Sequence, residues 1–379
     1  MRVTNKNLLI SLAAVGVVAI MVVAALVATS APDGSGNEDT AETITVTDMW
    51  GRNVTVPNEV DRIVCVNAAA LRFICYMNGA DRVVGVEEHE HGSSAADLGG
   101  RTYRIANPEF GNLPIIGPIH GGDQELIAAV TPEVIFKCAS QASDCDDLQN
   151  SLGVPVIGLN MNVDLATRYT LFQQQLRLIG QVLDEDARAE ELIDSIELVM
   201  DDLEQRTSGI TEESKPTAYV GGVSYSGYHG IDWTCAVYPP FDLTNAKNVI
   251  DLEMTMNKSV GQISIELLPL LNPDIVFIDW GGIALCVEDY ARFEDALETV
   301  TAFQNGDVYG VLQYNWYATN WDSLLADCYY VGKVLFPDAF ADVDPEEKAD
   351  EIFQLWVGEP IYDQVVTNCG GGFQQVSLG

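Results

Sequence analysis

The stretch Glu125-Leu-Ile-Ala-Ala-Val-Thr-Pro-Glu-Val-Ile-Phe136 returns later in the chain as Glu266-Leu-Leu-Pro-Leu-Leu-Asn-Pro-Asp-Ile-Val-Phe277. Glu, Leu, Pro and Phe recur at matching places, and most other positions are like-for-like exchanges. Each copy reads as a short amphipathic helix, a proline stop (Pro132, Pro273) and a buried strand. The apolar triplets Val134–Phe136 and Ile275–Phe277 suit parallel strands covered on both faces. Each leading glutamate lies two residues after a good helix-capping residue, Asp123 in one copy and Ser264 in the other. A repeat of this kind predicts two similar lobes.

Outward from the repeat, strands and helices alternate, which implies parallel sheets. Before the first copy come a hairpin over Ile44–Pro57, a strand over Asp61–Asn67, a helix over Ala68–Met77 and a strand over Arg82–Val86. A long loop follows, carrying His89, His91, Arg101, Arg104 and His120. Loops of that length are usually functional or mobile. After the first copy, Gly153–Gly158 reads as a strand, Asp164–Leu183 as a helix and Glu185–Gln205 as a second, more charged helix. A new strand begins at Pro216. Asn245-Ala-Lys-Asn-Val-Ile-Asp251 parallels Gly79-Ala-Asp-Arg-Val-Val-Gly85. Beyond the second copy come an acidic helix over Val287–Val300, a strand over Asp307–Leu312, and helices over Asp322–Leu335 and Asp344–Trp356. Gly370–Phe373 closes the ordered pattern. The division expected is an N-terminal apolar segment (1–31), a polar tether (32–42), a first α/β lobe (43–163), a bridging helix with the helix after it (164–206), and a second α/β lobe with C-terminal helices (207–379).

The net charge of −37 excludes a nucleic-acid footprint and an anionic lipid surface as partners. It fits a strongly solvated surface. Arg2 and Lys6 precede the uncharged run Leu8–Ala28, long enough as a helix to cross a bilayer. Either a secretion signal or an uncleaved anchor to the cytoplasmic membrane fits this pattern, and both export the rest of the chain. The eight cysteines form no C-x-x-C pair, so zinc-ribbon and thioredoxin readings fail. The chain also lacks G-x-G-x-x-G, P-loop, G-x-S-x-G and H-E-x-x-H motifs, so a binding protein is expected rather than an enzyme. An exported metal-dependent enzyme and a surface adhesion protein are the competing classes.

Asp61-Arg-Ile-Val, Gly79–Val86, Asn245–Val249 and the two Glu…Pro-acidic units, in this order, resemble the substrate-binding proteins of ATP-driven importers for iron complexes, haem and cobalamin. His229-Gly230, Tyr238–Phe241 and Asn315–Asn320 resemble an archaeal branch of that family. The resemblance covers residues 43–373. It implies two Rossmann-like α/β lobes bridged by a single long helix, with ligand in the cleft between them and no cofactor. It also implies an extracytoplasmic position at the outer membrane face, and a permease with its ATPase as partners. A glutamate at the position of Glu125 and of Glu266 would dock onto permease arginines. Each is also explained by the helix macrodipole alone.

Ligands in open α/β sheets collect beyond the carboxyl ends of strands. That rule selects Asn67, His89, His91 and His120 in the first lobe. In the second it selects Tyr225, Tyr228, His229, Trp233, Asp279, Trp280, Tyr314 and Trp316. The aromatic residues, with Tyr317 and Trp321, suit a large and partly apolar chelate, and any one of them serves equally as packing. Arg101 and Arg104 are candidates to pair with an anionic ferric chelate, or to form surface ion pairs. His89, His120, His229 and Asp279 are the alternative set for a bare divalent ion. An iron chelate such as a ferric siderophore is the leading expectation. Haem, cobalamin and a bare metal ion are the alternatives.

Overall fold

The computed structural model describes residues 42–94, 98–161 and 168–379. The expected signal or anchor, nearly all of the tether and the start of the bridging helix at Asp164 lie outside the described residues. Among the described residues no helix is long and apolar enough to cross a membrane.

The first lobe opens with a hairpin of β1 (Thr43–Thr47) and β2 (Asn53–Pro57), in which Val46 faces Val54 and Ile44 faces Val56. Its main sheet holds β3 (Ile63–Val66), β4 (Val83–Gly85), β5 (Val134–Cys138) and β6 (Val156–Leu159), all parallel, in the order β4-β3-β5-β6. Every residue of β3 and β6 is buried, as expected of strands covered on both faces. The second lobe contributes β7 (Thr217–Gly221), β8 (Trp233–Cys235), β9 (Lys247–Asn248), β10 (Val260–Gln262), β11 (Ile275–Asp279), β12 (Val308–Val311) and β13 (Gln374–Gln375). The sheet order is β13-β12-β11-β7-β9, parallel except for β13. β8 and β10 form a separate antiparallel ribbon.

The repeated stretch supplies an inner strand of each sheet, β5 between β3 and β6, and β11 between β7 and β12. Its helical parts differ. In the first copy Asp123 caps the helix Gln124–Ala129 by accepting from the Glu125 and Leu126 amides. In the second copy Ser264 makes no capping hydrogen bond, and a 3-10 turn at Ile265–Leu267 leads into the short helix Leu268–Leu271. Pro269 at the start of that helix fits its fixed φ to the first turn.

Beyond Leu159 the chain crosses to the second lobe through helices Tyr169–Leu183 and Asp186–Thr207, joined by a left-handed residue at Asp184. Helices Trp321–Leu335 and Pro345–Val357 complete the layer between the sheets. One apolar core runs through this layer and joins the inner faces of both sheets, while smaller cores cover their outer faces. Phe73, Phe172 and Trp321 form the aromatic seam, with ring centroids 6.0 and 4.8 Å apart in succession.

Three parts differ from the sequence reading. The long loop after β4 is mostly short helical turns, at Glu88–His91, Thr102–Ala106 and Pro108–Asn112. The acidic helix starts earlier, at Ile283, and breaks at Phe293. The order continues past the glycines near 371, where β13 adds an antiparallel edge. All eight cysteines are free, and seven are buried.

Candidate functional site

The carboxyl ends of β3 and β4 in one lobe, and of β7, β11 and β12 in the other, deliver the side chains that meet between the lobes. Asn67 follows β3 with φ 79°. Its Nδ2 donates to the Cys138 carbonyl at 2.8 Å, and its Oδ1 lies 3.0 Å from His120 Nδ1. Glu87, just past β4, is buried at 2% exposure. Its Oε1 accepts from the Asn67 and Gly121 amides at 3.1 and 3.0 Å. Its Oε2 accepts from the Tyr317 hydroxyl of the other lobe at 2.7 Å.

Tyr317 and Ala318 both have positive φ, at 53° and 72°, in a tight turn closed by the bridge between Asn315 and Thr319. Arg72 of the first lobe holds this turn. Its Nη2 donates to the Trp316 and Tyr317 carbonyls, each at 2.9 Å, and its Nε to Asn320 Oδ1 at 2.9 Å. The Tyr317 ring then stands 4.6 Å from His89 and 5.7 Å from His120. Burial, then the Glu87 carboxylate, pushes its phenol pKa up. Trp316 stacks on Tyr228 at 4.9 Å and lies 6.3 Å from His89. The lobes also touch at Gly100, where an added Cβ would stand 2.5 Å from the Gln313 carbonyl oxygen.

Of the residues the sequence singled out, Asn67, His89, His120, Tyr228 and Trp316 come together here. Tyr225, His229 and Trp233 form an adjoining group: His229 stacks on Trp233 at 3.7 Å, and its Nε2 is 2.7 Å from the Tyr225 carbonyl. His91 ends the short helix after Glu87 and adds no ring contact to either group among the described residues. Tyr314 faces Tyr238, with centroids 6.0 Å apart.

Other candidates are engaged elsewhere. Arg101 and Arg104 are fully buried rather than surface-paired, because Glu90 is buried with them. Glu90 accepts from Arg101 at 2.7 Å and from the Tyr103 hydroxyl at 2.6 Å, and lies 3.6 Å from Arg104. Arg104 also donates to the Asn107 and Gly92 carbonyls, at 2.7 and 3.0 Å. Trp280 donates to the Gly372 carbonyl at 2.8 Å and packs where Cβ atoms at Gly310 and Gly371 would be, so it is wall rather than cleft. Asp279 is buried and accepts from the Ser224 and Gly281 amides at 2.9 and 2.8 Å. Burial pushes its carboxyl up to about 6. His89, His120, His229 and Asp279 therefore do not converge. No three His, Cys, Asp or Glu side chains form a metal-holding group among the described residues.

Glu87, Tyr317 and Arg72 carry the geometry, and the sequence reading passed over their roles. The strand-end rule reaches Glu87, but nothing distinguishes it among 56 acidic residues. A surface hollow of about 380 Å³, walled by Asn78, Asp81, Glu109, Arg188 and Trp356, holds none of the strand-end side chains. The strand ends, not this hollow, gather the polar and aromatic groups that a ligand needs.

A family model described as periplasmic binding protein matches residues 63–313. The chain is 20% identical over 338 residues to the molybdate-binding protein MolA of Haemophilus influenzae, covering 82% of this chain and 89% of that protein. The structure of MolA bound to molybdate aligns with a TM-score of 0.65 at 19% identity, over 84% of this chain and 98% of that one. A periplasmic solute binding protein from Veillonella parvula aligns at 0.68 and 17% identity, over 86% and 97%. The petrobactin-binding protein YclQ from Bacillus subtilis aligns at 0.55 and 16% identity, over 79% and 99%.

Proposed function

The chain belongs to the periplasmic binding protein family, and from that premise we propose that it is the extracytoplasmic substrate-binding protein of an ABC importer, capturing an iron chelate between its lobes. The observation that carries the ligand class is the aromatic wall. Tyr228 stacks on Trp316, which lies 6.3 Å from the His89 imidazole, and Tyr225 and Tyr228 remain 49% and 45% exposed. Flat rings with polar edges suit a large, partly apolar chelate better than a bare ion. The cations nearby are already engaged, Arg101 and Arg104 by Glu90 and Arg72 by carbonyl groups.

Titration of the purified protein, read by tryptophan quenching, tests this. The panel holds ferric chelates, haem, cobalamin, molybdate, Mn²⁺, Ni²⁺ and Zn²⁺. Saturable binding of a ferric chelate is expected. Tight binding of molybdate or of a bare ion alone would overturn the ligand class.

The permease partner is read from the repeat. Glu125 and Glu266 are both exposed, one in each copy, and each has an exposed leucine nearby, Leu126 at 45% and Leu270 at 81%. Transport by the complete importer should fall at least about tenfold in the Glu125→Ala, Glu266→Ala double variant, the loss of about 1.4 kcal/mol of docking energy. Unchanged transport would refute the docking role.

A further inference from the structure

We propose that Glu87 determines the specificity of this cleft. Its carboxylate is the subsite for a hydrogen-bond-donating or cationic group of the ligand, which takes the place of the Tyr317 phenol. The same carboxylate refuses tetrahedral oxyanions. The inference rests on the reading of this cleft as the ligand site.

Three observations carry it. First, Glu87 is fixed rather than adaptable, since amides from two separate segments, at Asn67 and Gly121, hold one oxygen. Second, its other oxygen is turned to the facing lobe and accepts a proton donor from there, the Tyr317 hydroxyl. An acceptor-only group met by three donors, with no Lys or Arg paired to it among the described residues, favours positive or donating partners and repels an anion. The chargeable neighbours are His89 and His120 beside the Tyr317 ring, and Glu90, which Arg101 neutralises. Third, the turn bearing Tyr317 does not depend on the phenol. Arg72 holds its carbonyls and the Asn315–Thr319 bridge closes it. The phenol can therefore swing out by side-chain rotation while Trp316 stays in the wall. Tyr317 acts as a resident stand-in for the ligand's donor group. The cleft thus differs in kind from one built for molybdate, although a molybdate-binding protein is among the relatives.

Thermal melts of the full chain test this with small probes: phenol, ethylammonium and molybdate. The variants are Tyr317→Ala and Tyr317→Ala with Glu87→Gln. Phenol and ethylammonium should each raise the Tm of Tyr317→Ala and leave the wild type unmoved. Ethylammonium should lose its effect in the double variant, because the Asn67 and Gly121 amides hold the one amide oxygen and leave the NH2 facing the site, while phenol, whose oxygen accepts from that NH2, keeps part of its own. Molybdate should stabilise none of them. Stabilisation of the wild type by molybdate overturns the proposal whether or not the variants fold. So does failure of both donors to rescue a Tyr317→Ala protein whose circular dichroism matches the wild type. No probe here is a metal chelate, so the two readings fail separately. Donor rescue without chelate binding would keep the subsite and sink the iron-chelate reading, and the reverse result would do the opposite.

Discussion

Arg72 reaches from the helix Ala70–Tyr76 into the other lobe and is itself 1% exposed, with its guanidinium 4.8 Å over the Tyr103 ring. Its hydrogen bonds fix the carbonyls of the two residues whose rings line the cleft. Arg72→Met should cost about 3 kcal/mol, because it leaves the buried Asn320 amide oxygen and two partly buried carbonyls without their donor. Urea unfolding would measure that loss, and a red shift of tryptophan emission would report the freed Trp316. Arg72→Lys should recover only part, since a point charge cannot replace the forked donor geometry. Asp279 makes a pH-dependent contribution of known sign. Burial raises its folded-state pKa to about 6, against the pull of two amide hydrogen bonds. The unfolded chain releases this proton at the ordinary carboxylate value, so the folded state holds more protons between the two. The group's stabilisation is therefore complete below the unfolded value and is lost as pH rises through about 6. The destabilisation by Asp279→Asn should be larger at pH 4 than at pH 7, by about 2 kcal/mol. Equal losses at the two pH values would contradict this.

At the scale of elements, the repeat was legible because a parallel strand buried on both faces must be largely apolar, and β5 and β11 each open with an apolar triplet before their charged residues Lys137 and Asp279. The same physics located β3, β6, β7 and β12 to within a few residues. What stayed hidden depends on partners remote in sequence. Nothing local shows that Glu90 is buried, since Arg101, Tyr103 and Arg104 come round to neutralise it. Trp280 looked like a cleft aromatic because it follows a strand, yet the glycines near 371 return from the far end of the chain to cover it. Ser264 has a capping residue's chemistry, but the proline-bearing second copy starts as a 3-10 turn that does not use it. The sharp turn after β11 shows how an element positions the cleft. A Cβ on Gly282 would stand 2.2 Å from the Gly222 oxygen and 2.5 Å from the His229 oxygen, both backbone atoms that cannot step aside. Gly282→Ala should therefore push the segment 224–230 outward and cost roughly 1–3 kcal/mol. A lowered Tm is expected, with near-ultraviolet circular dichroism that reports loss of the Tyr228–Trp316 stack. An unchanged aromatic signal would show that the turn does not hold that segment.

At the scale of the whole molecule, two facts pull against each other. The charge is −37, and only 19 Lys and Arg residues stand against 56 acidic ones. Self-repulsion therefore favours expansion. Against it stands an apolar core that joins both lobes through Phe172, Trp321 and Trp356, reinforced by the Tyr76 hydroxyl donating to Asp322 at 2.8 Å. Arg206 adds a two-pronged bond to Asp342, at 2.7 and 3.0 Å, between the crossing helix and the second lobe. Salt acts on these terms differently. Raising ionic strength from about 0.1 M to 1 M shortens the screening length from roughly 10 Å to 3 Å, which removes repulsion across the surface. It weakens exposed pairs such as Arg206–Asp342 by at most about 1 kcal/mol. It leaves the shared core almost untouched. Because that core is common to both lobes, they should unfold together. Calorimetry in 0.1 M and 1 M KCl should then show one cooperative transition that moves up with salt. Two transitions would mean that the seam does not couple the lobes. A single transition that moves down would mean that ion pairs outweigh repulsion, and the excess of acid over base makes that the less stable balance.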